Sequence, residues 1–247
     1  MIVAEIGFNH LGDYNITNEY VNTLLNSDVD AITFQVRERE HRQNKPYRYF
    51  DDKDFYFLFE RIKDSNKKVG VALADKEYIS FFEELGVDFY KVIRNDITNR
   101  DLLNELIGTG KKLYVSTGLS SEKDIEEFIV HIENDKNQFK LIHTQLSNDI
   151  NDCNLKSIET MKKYGLEVGY GSHCKEKTTI FMSLCYEPSD IFIYVKGDAE
   201  APYPDKDHAI KISEFAGLVD NINKYKKALG VGVKKNMDNK IERLKTK

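Results

Sequence analysis

A single closed (β/α)8 TIM barrel is the fold class that the sequence predicts, on three observations. Short β-branched or aromatic runs alternate with amphipathic stretches at helical spacing, eight of each along the chain. The strand runs are continuously apolar, as parallel strands covered on both faces are. Gly86, Gly110, Gly165 and Gly230 each follow a helical run, where C-terminal caps fall. The 247 residues fit one barrel, a fold of about 250 residues. An open doubly wound sheet is the weaker arrangement for eight such units.

In order, the first strand is expected over residues 2–8, because Ile2, Val3, Ala4 and Ile6 are apolar, and its helix over 17–26. The second unit is a strand at 31–36 and a helix at 54–65. The third is 69–74 with 76–85, the fourth 89–93 with 100–107, and the fifth 113–116 with 121–134. The sixth is 140–144 with 154–164, the seventh 167–170 with 178–185, and the eighth 191–195 with a long helix at 212–229. The longest irregular insert, residues 37–53, is rich in charge and Tyr and follows the second strand. In a barrel that places it at the catalytic face, as a lid or substrate loop. The domain is expected to span 1–232, with a polar Lys-rich tail at 233–247.

Composition narrows the function classes. Hydrophobic residues at 40% and charged residues at 31% exclude a disordered or collagen-like chain. Lys plus Arg is 36 against 41 Asp plus Glu, a net charge of −5, so nucleic acid and anionic membranes are not expected partners. The longest apolar stretch, residues 178–195, is interrupted by Glu187, Pro188 and Asp190, which argues against a transmembrane helix. Three cysteines without a CxxC pair, together with a start directly on a strand, lead us to expect a cytoplasmic protein with reduced thiols.

Barrel enzymes carry their chemistry at the C-terminal ends of the strands. That rule selects Glu5, Asn9 and His10 after the first strand, Gln35 on the second, and Lys91, Arg94 and Asp96 at the fourth. It also selects Ser116 and Thr117 at the fifth, His143 at the sixth, Tyr170 and His173 at the seventh, and Lys196, Asp198, Asp205, Asp207 and His208 beyond the eighth. His143 and His173, on adjacent strands, have the chemistry of a divalent transition-metal pair; a hydrogen-bonded polar role is the ordinary alternative. Lys91 lies within an apolar strand, where an ammonium needs an anion or carbonyl partner. Ser116 and Thr117 precede a helix and can either hold phosphate or cap the helix.

These residues carry a resemblance to the sialic acid synthase family, meaning N-acetylneuraminate synthase and its relatives that make other nonulosonic acids. The matching segments are Ala4-Glu5-Ile6-Gly7-Phe8-Asn9-His10 with Gly12-Asp13, then Phe34-Gln35, Lys91, and Gly110-Lys111 through Ser116-Thr117-Gly118. Leu141-Ile142-His143-Thr144, Gly169-Tyr170 with His173, and the closing helix from Phe215 to Gly230 complete the match over nearly the whole chain. The resemblance implies condensation of phosphoenolpyruvate with the aldehyde of an open-chain amino sugar. C3 of phosphoenolpyruvate attacks the aldehyde, water adds at C2 and phosphate leaves. It also implies a divalent metal, usually manganese (Mn2+), held by His143 and His173. It gives Lys91, Ser116 and Thr117 to phosphoenolpyruvate, and Gln35, Asp96 and Glu5 to the sugar or to organising the site. Arg94 and Tyr170 are further substrate-binding candidates.

The chain also departs from the family pattern. Thr33 stands where the family has Lys two residues before the Gln, which removes one charge-assisted contact. Arg94-Asn95 replaces a Ser-Gly pair before Asp96, and Arg94 either replaces the missing cation or fills the pocket. Ser172 replaces an Asp, and the Glu-Lys-His signature of strand eight is absent from residues 192–196. Residues 145–154 replace a Pro-containing loop. The chain ends where a linker to a small antifreeze-like domain would begin in the family. A second copy of the chain or a separate cap-domain protein is therefore the expected macromolecular partner. The alternative to an active synthase is a divergent barrel that has lost phosphoenolpyruvate chemistry. Such a barrel would act on another substrate, or serve as a non-catalytic binding subunit in polysaccharide biosynthesis.

Overall fold

The computed structural model describes residues 1–45, 49, 51–94 and 96–234. Eight parallel strands run in chain order: β1 (Ile2–Gly7), β2 (Ala31–Val36), β3 (Lys68–Leu73), β4 (Phe89–Val92), β5 (Lys112–Ser116), β6 (Phe139–His143), β7 (Val168–Ser172) and β8 (Ile191–Lys196). β8 pairs back onto β1, Ile2 against Ile191 through Glu5 against Tyr194, and closes the barrel. Every predicted strand is present, with its ends within two residues of the expectation. A ninth short strand, β9 (Ile210–Lys211), lies parallel to the end of β8 at Val195 and Lys196.

The surrounding helices are α1 (Tyr14–Leu25), α2 (Arg39–Asn44), α3 (Asp52–Asp64), α4 (Ile79–Glu84), α5 (Arg100–Gly108), α6 (Glu122–His131), α7 (Ser157–Thr160), α8 (Thr178–Ser183) and α9 (Ile212–Leu229). α1 starts three residues before the expected position because the Asp13 carboxylate accepts from the N–H groups of Asn15 and Ile16. α6 opens with a capping box between Ser121 and Asp124. The helix expected at 154–164 is split into α7 and a 3₁₀ turn, Met161–Tyr164, which stops at Gly165 with φ 76°. α2 is a correction: it forms inside the insert read as irregular. Residues 46–48 and 50 of that insert, and 235–247 of the tail, lie outside the described residues. Among the described residues no helix is long and apolar enough to cross a membrane.

Two apolar layers hold the barrel. Outside the strands, Tyr20, Phe34, Phe59, Phe82 and Phe215 are fully buried against the helices, each contributing ~1.5–3 kcal/mol of burial. Inside, Val3, Ala31, Phe89, Tyr114, Ile142 and Phe192 form a separate plug. Its rings run Phe89 to Tyr114 to Phe192 at 5.1 and 5.3 Å between centroids. Gly70 leaves room for the Phe89 ring, which a Cβ at Gly70 would meet at 2.3 Å. The plug sets the phase of each strand, because side chains alternate faces with period two.

Candidate active site

Two residues beyond each plug residue, toward the C-terminal end, the interior turns polar: Glu5, Thr33, Lys91, Ser116, Thr144 and Tyr194, all buried. Above them opens a cavity of about 230 Å³. Its lining includes Gln35, Lys91, Arg94, Ser116 and His173, five of the residues selected from the sequence. Arg37 and His41, from the insert after β2, and Tyr194 and Asp205 also line it. The insert folds down onto this rim. His41 stacks on Phe8 at 5.6 Å, and the Arg42 guanidinium meets Asp75 at 2.5 Å and the face of Tyr78 at 4.1 Å.

At the floor, Lys91 Nζ donates to Glu5 Oε1 at 2.5 Å, with the two side chains only 4% and 2% exposed. The ammonium also lies 4.9 Å from the Phe192 ring centre. Glu5 Oε2 is buried without a hydrogen-bond partner. A carboxylate oxygen left in this state is an acceptor without a donor, carried by the partner of the cavity-lining Lys91.

At the mouth, Arg37 Nε donates to Glu38 at 2.7 Å and Arg94 reaches the same carboxylate at 3.1 Å. Arg94 adopts φ 58°, a left-handed conformation that an L residue enters at a cost of ~1–2 kcal/mol. That backbone kink after β4 places the guanidinium on the rim. Asp96, in the 3₁₀ turn that follows, is not among the cavity-lining residues. Burial and the neighbouring Glu38 raise its carboxyl above the usual range, and its Oδ2 has no hydrogen-bond partner.

The phase of β6 corrects the expected metal pair. Ile142 belongs to the plug, so His143 points outward, toward the helices. Its Nε2–H donates to the Cys153 carbonyl at 2.9 Å, its ring stacks on Tyr170, and it lines a different cavity with Thr117, Met161 and Tyr164. Tyr170 belongs to the apolar layer packed against the helices and points its hydroxyl at Thr179 Oγ1, 3.4 Å away. Thr117 donates to the Ile142 carbonyl, a strand-end role. His143, Thr117 and Tyr170 therefore do not join His173. Among the described residues no three His, Cys, Asp or Glu side chains are grouped as a metal-ligand set.

The imidazole beside His173 is that of His208. Their ring centroids are 4.5 Å apart, and Tyr194 packs edge-on against both, at 5.3 Å and 5.2 Å. Burial lowers both histidines below their ordinary range, His208 to about 4, so both rings are neutral near pH 7. His208 arrives on the loop after β8, where nothing in the residue pattern sets it apart from its neighbours. Asn9 fixes that loop: its Nδ2 donates to the Val195 carbonyl at 2.7 Å, and its Oδ1 accepts from the Asp205 N–H at 3.1 Å. The Asn9–His10 pair of the first motif is thus structural. His10 Nδ1 accepts from the Gly12 N–H, and burial lowers the imidazole to about 4.

The C-terminal mouth of this closed (β/α)8 barrel gathers a buried Lys–Glu pair, a hydroxyl and guanidinium groups, the face at which barrel enzymes carry their sites. The chain belongs to the NeuB family, whose profile matches residues 20–234. It is 25% identical to the N,N'-diacetyllegionaminic acid synthase of Campylobacter jejuni, over 95% of this chain and 79% of that one. It is 22% identical to the mouse (Mus musculus) N-acetylneuraminate-9-phosphate synthase, over 93% and 71%. Its fold superposes on the N-acetylneuraminic acid synthetase of Leptospira borgpetersenii, solved with citrate. The TM-score is 0.88 at 26% identity, covering 99% of this chain and 91% of that one.

Proposed function

We propose that this barrel condenses phosphoenolpyruvate with the aldehyde of an open-chain amino sugar to give a nonulosonic acid. The observation that carries the reading is the cavity itself. It gathers Lys91, Ser116, Gln35 and the two arginines at the strand ends, with Glu5 paired to Lys91, in a family of sugar acid synthases. Lys91 and the Ser116 hydroxyl would hold the carboxylate of phosphoenolpyruvate. Arg94 and Arg37 would turn from Glu38 to the phosphate, replacing the cation absent at Thr33. Gln35 would orient the sugar hydroxyls. The carbon–carbon bond forms between C3 of phosphoenolpyruvate and the aldehyde carbon, whose oxygen takes up a proton. Water adds at C2, giving its proton to Glu5 Oε2, and the C2–O bond to phosphate then breaks. A divalent metal bound beside His173 would polarise the aldehyde oxygen.

The test is release of inorganic phosphate from phosphoenolpyruvate in the presence of a panel of 2-acetamido and diacetamido hexoses, with and without Mn2+. Phosphate release that depends on both substrates, with a keto acid product of matching mass, supports the reading. Binding of neither substrate at millimolar concentration refutes it.

A further inference from the structure

We infer that Glu38 is a built-in competitor at the barrel mouth: its carboxylate holds Arg37 and Arg94 away from the cavity until a phosphoryl group displaces it. The identity of that anion as phosphoenolpyruvate rests on the proposed synthase reading. The competition itself concerns any phosphoryl anion.

The geometry is that of an occupied clamp. Each oxygen of the Glu38 carboxylate takes a different guanidinium. Oε2 accepts from Arg37 Nε at 2.7 Å, and Oε1 lies 3.1 Å from Arg94 Nη2. A phosphoryl group presents its oxygens to two arginines in the same way, with more negative charge and a third acceptor. Both arginines line the cavity, whereas Glu38 is not among its lining residues. The carboxylate therefore draws the two guanidinium groups toward the outer rim rather than filling the space below them.

The clamp is assembled from two separate segments. Arg94 enters it after β4 through its left-handed backbone at φ 58°, strain of the kind that collects at ligand clamps. Arg37 and Glu38 follow β2. The backbone of Glu38 is fixed independently of its side chain. Its carbonyl accepts from the Arg42 N–H at 3.2 Å, and Arg42 is anchored to Asp75 and Tyr78. The carboxylate is thus tethered beside its partners at high effective concentration. Its hold is weak all the same, because the Glu38 and Arg94 side chains are each 36% exposed, and exposed ion pairs contribute little. A weak tethered competitor yields to a dianion, and it lowers the apparent affinity by the fraction of molecules in which the arginines are engaged.

The test is calorimetric titration of inorganic phosphate, and then of phosphoenolpyruvate, into the full chain and its variants. Glu38→Gln keeps the size of the side chain and removes its charge. It should bind both anions about three- to tenfold more tightly than wild type. Glu40→Gln removes the same charge from an exposed position two residues along and should stay within about twofold of wild type. In an Arg37→Gln/Arg94→Gly background, Glu38→Gln should bring no gain, because no guanidinium is left to release. Circular dichroism checks that each variant is folded. Unchanged or weaker phosphate binding in Glu38→Gln overturns the inference; weaker binding would make Glu38 a brace that holds the arginines in their binding pose. An equal gain in Glu40→Gln, or a gain that survives without the two arginines, overturns it as well. So does the absence of phosphate binding to wild type and Glu38→Gln alike at high millimolar concentration. Tighter phosphate binding in Glu38→Gln by a chain that never turns over phosphoenolpyruvate would leave the competitor standing and remove the synthase reading. Turnover with the same KM for phosphoenolpyruvate and the same phosphate affinity in wild type and Glu38→Gln would do the reverse.

Discussion

Replacing Lys91 with Met separates the structural and functional roles of the cavity floor. The ammonium is 2.5 Å from Glu5 Oε1, and both groups are almost completely buried. Removing one partner of such a pair leaves the other charge buried and uncompensated, at a cost of about 3–5 kcal/mol. Glu5 has no second partner to fall back on, since Oε2 is already without one. For a chain of this size each kcal/mol moves Tm by about 2–4 °C, so Lys91→Met should melt roughly 6–20 °C below wild type. The double variant Lys91→Met/Glu5→Met removes both charges and should recover most of that loss. Calorimetry at pH 7.5 measures the stability. Titration with phosphoenolpyruvate should show an affinity loss of at least tenfold in both variants, the worth of one charge-assisted contact of ~1.5–3 kcal/mol. Equal stability of the single and double variants would refute the pairing argument. Unchanged phosphoenolpyruvate affinity in the double variant would refute the placement of substrate over Lys91.

Arg94→Gly relieves the left-handed backbone at φ 58° and removes a rim cation. Urea unfolding should show stability unchanged or raised by up to ~1 kcal/mol, while phosphoenolpyruvate affinity falls tenfold or more. Thr33→Lys places an ammonium beside Glu5, with which Thr33 is in register, and should tighten phosphoenolpyruvate binding about tenfold by titration. No gain would mean that the rim arginines already saturate the anion. Stability should also fall with acid. His10 and His208 are each lowered to about 4 in the fold, so above about pH 6.5 neither contributes, and between 6.5 and 4 the unfolded chain takes up the protons first. Each group then costs up to ~3 kcal/mol by pH 4, and His10→Asn should remove one group's share of the slope.

The strands were legible because each apolar run is bounded by turn residues, and α9 because its apolar stripe repeats cleanly through Phe215, Val219 and Ile222. α2 was not, since Arg39–Asn44 carries no apolar face and has no buried residue. What holds this segment in place is the contact of Arg42 with Asp75 and Tyr78, a tertiary interaction invisible in one dimension. The strand-end rule selected Gln35, Lys91, Arg94, Ser116 and His173, which line the cavity, and Glu5, which pairs with Lys91, yet it also selected His143, Thr117 and Tyr170, which do not line it. Strands apolar on both faces hide their phase, so only the plug reveals that Ile142 is inside and His143 outside. The signal available was period two: Lys91, Ser116 and Tyr194 each stand two residues beyond an aromatic plug residue, and His143 stands one beyond Ile142. His208 lay outside that logic, because a loop fixed by Asn9 and Asn148 brings it to the site from beyond β8.

The proposed role of this cavity is to bind phosphoenolpyruvate for condensation with an amino sugar. Calorimetric titration of phosphoenolpyruvate into the purified chain, with and without Mn2+, tests it most directly. One site with a dissociation constant in the micromolar range, about −8 kcal/mol, is expected, with binding abolished or strongly weakened by Arg94→Gly. No heat of binding under either condition, from protein shown to be folded, would contradict it.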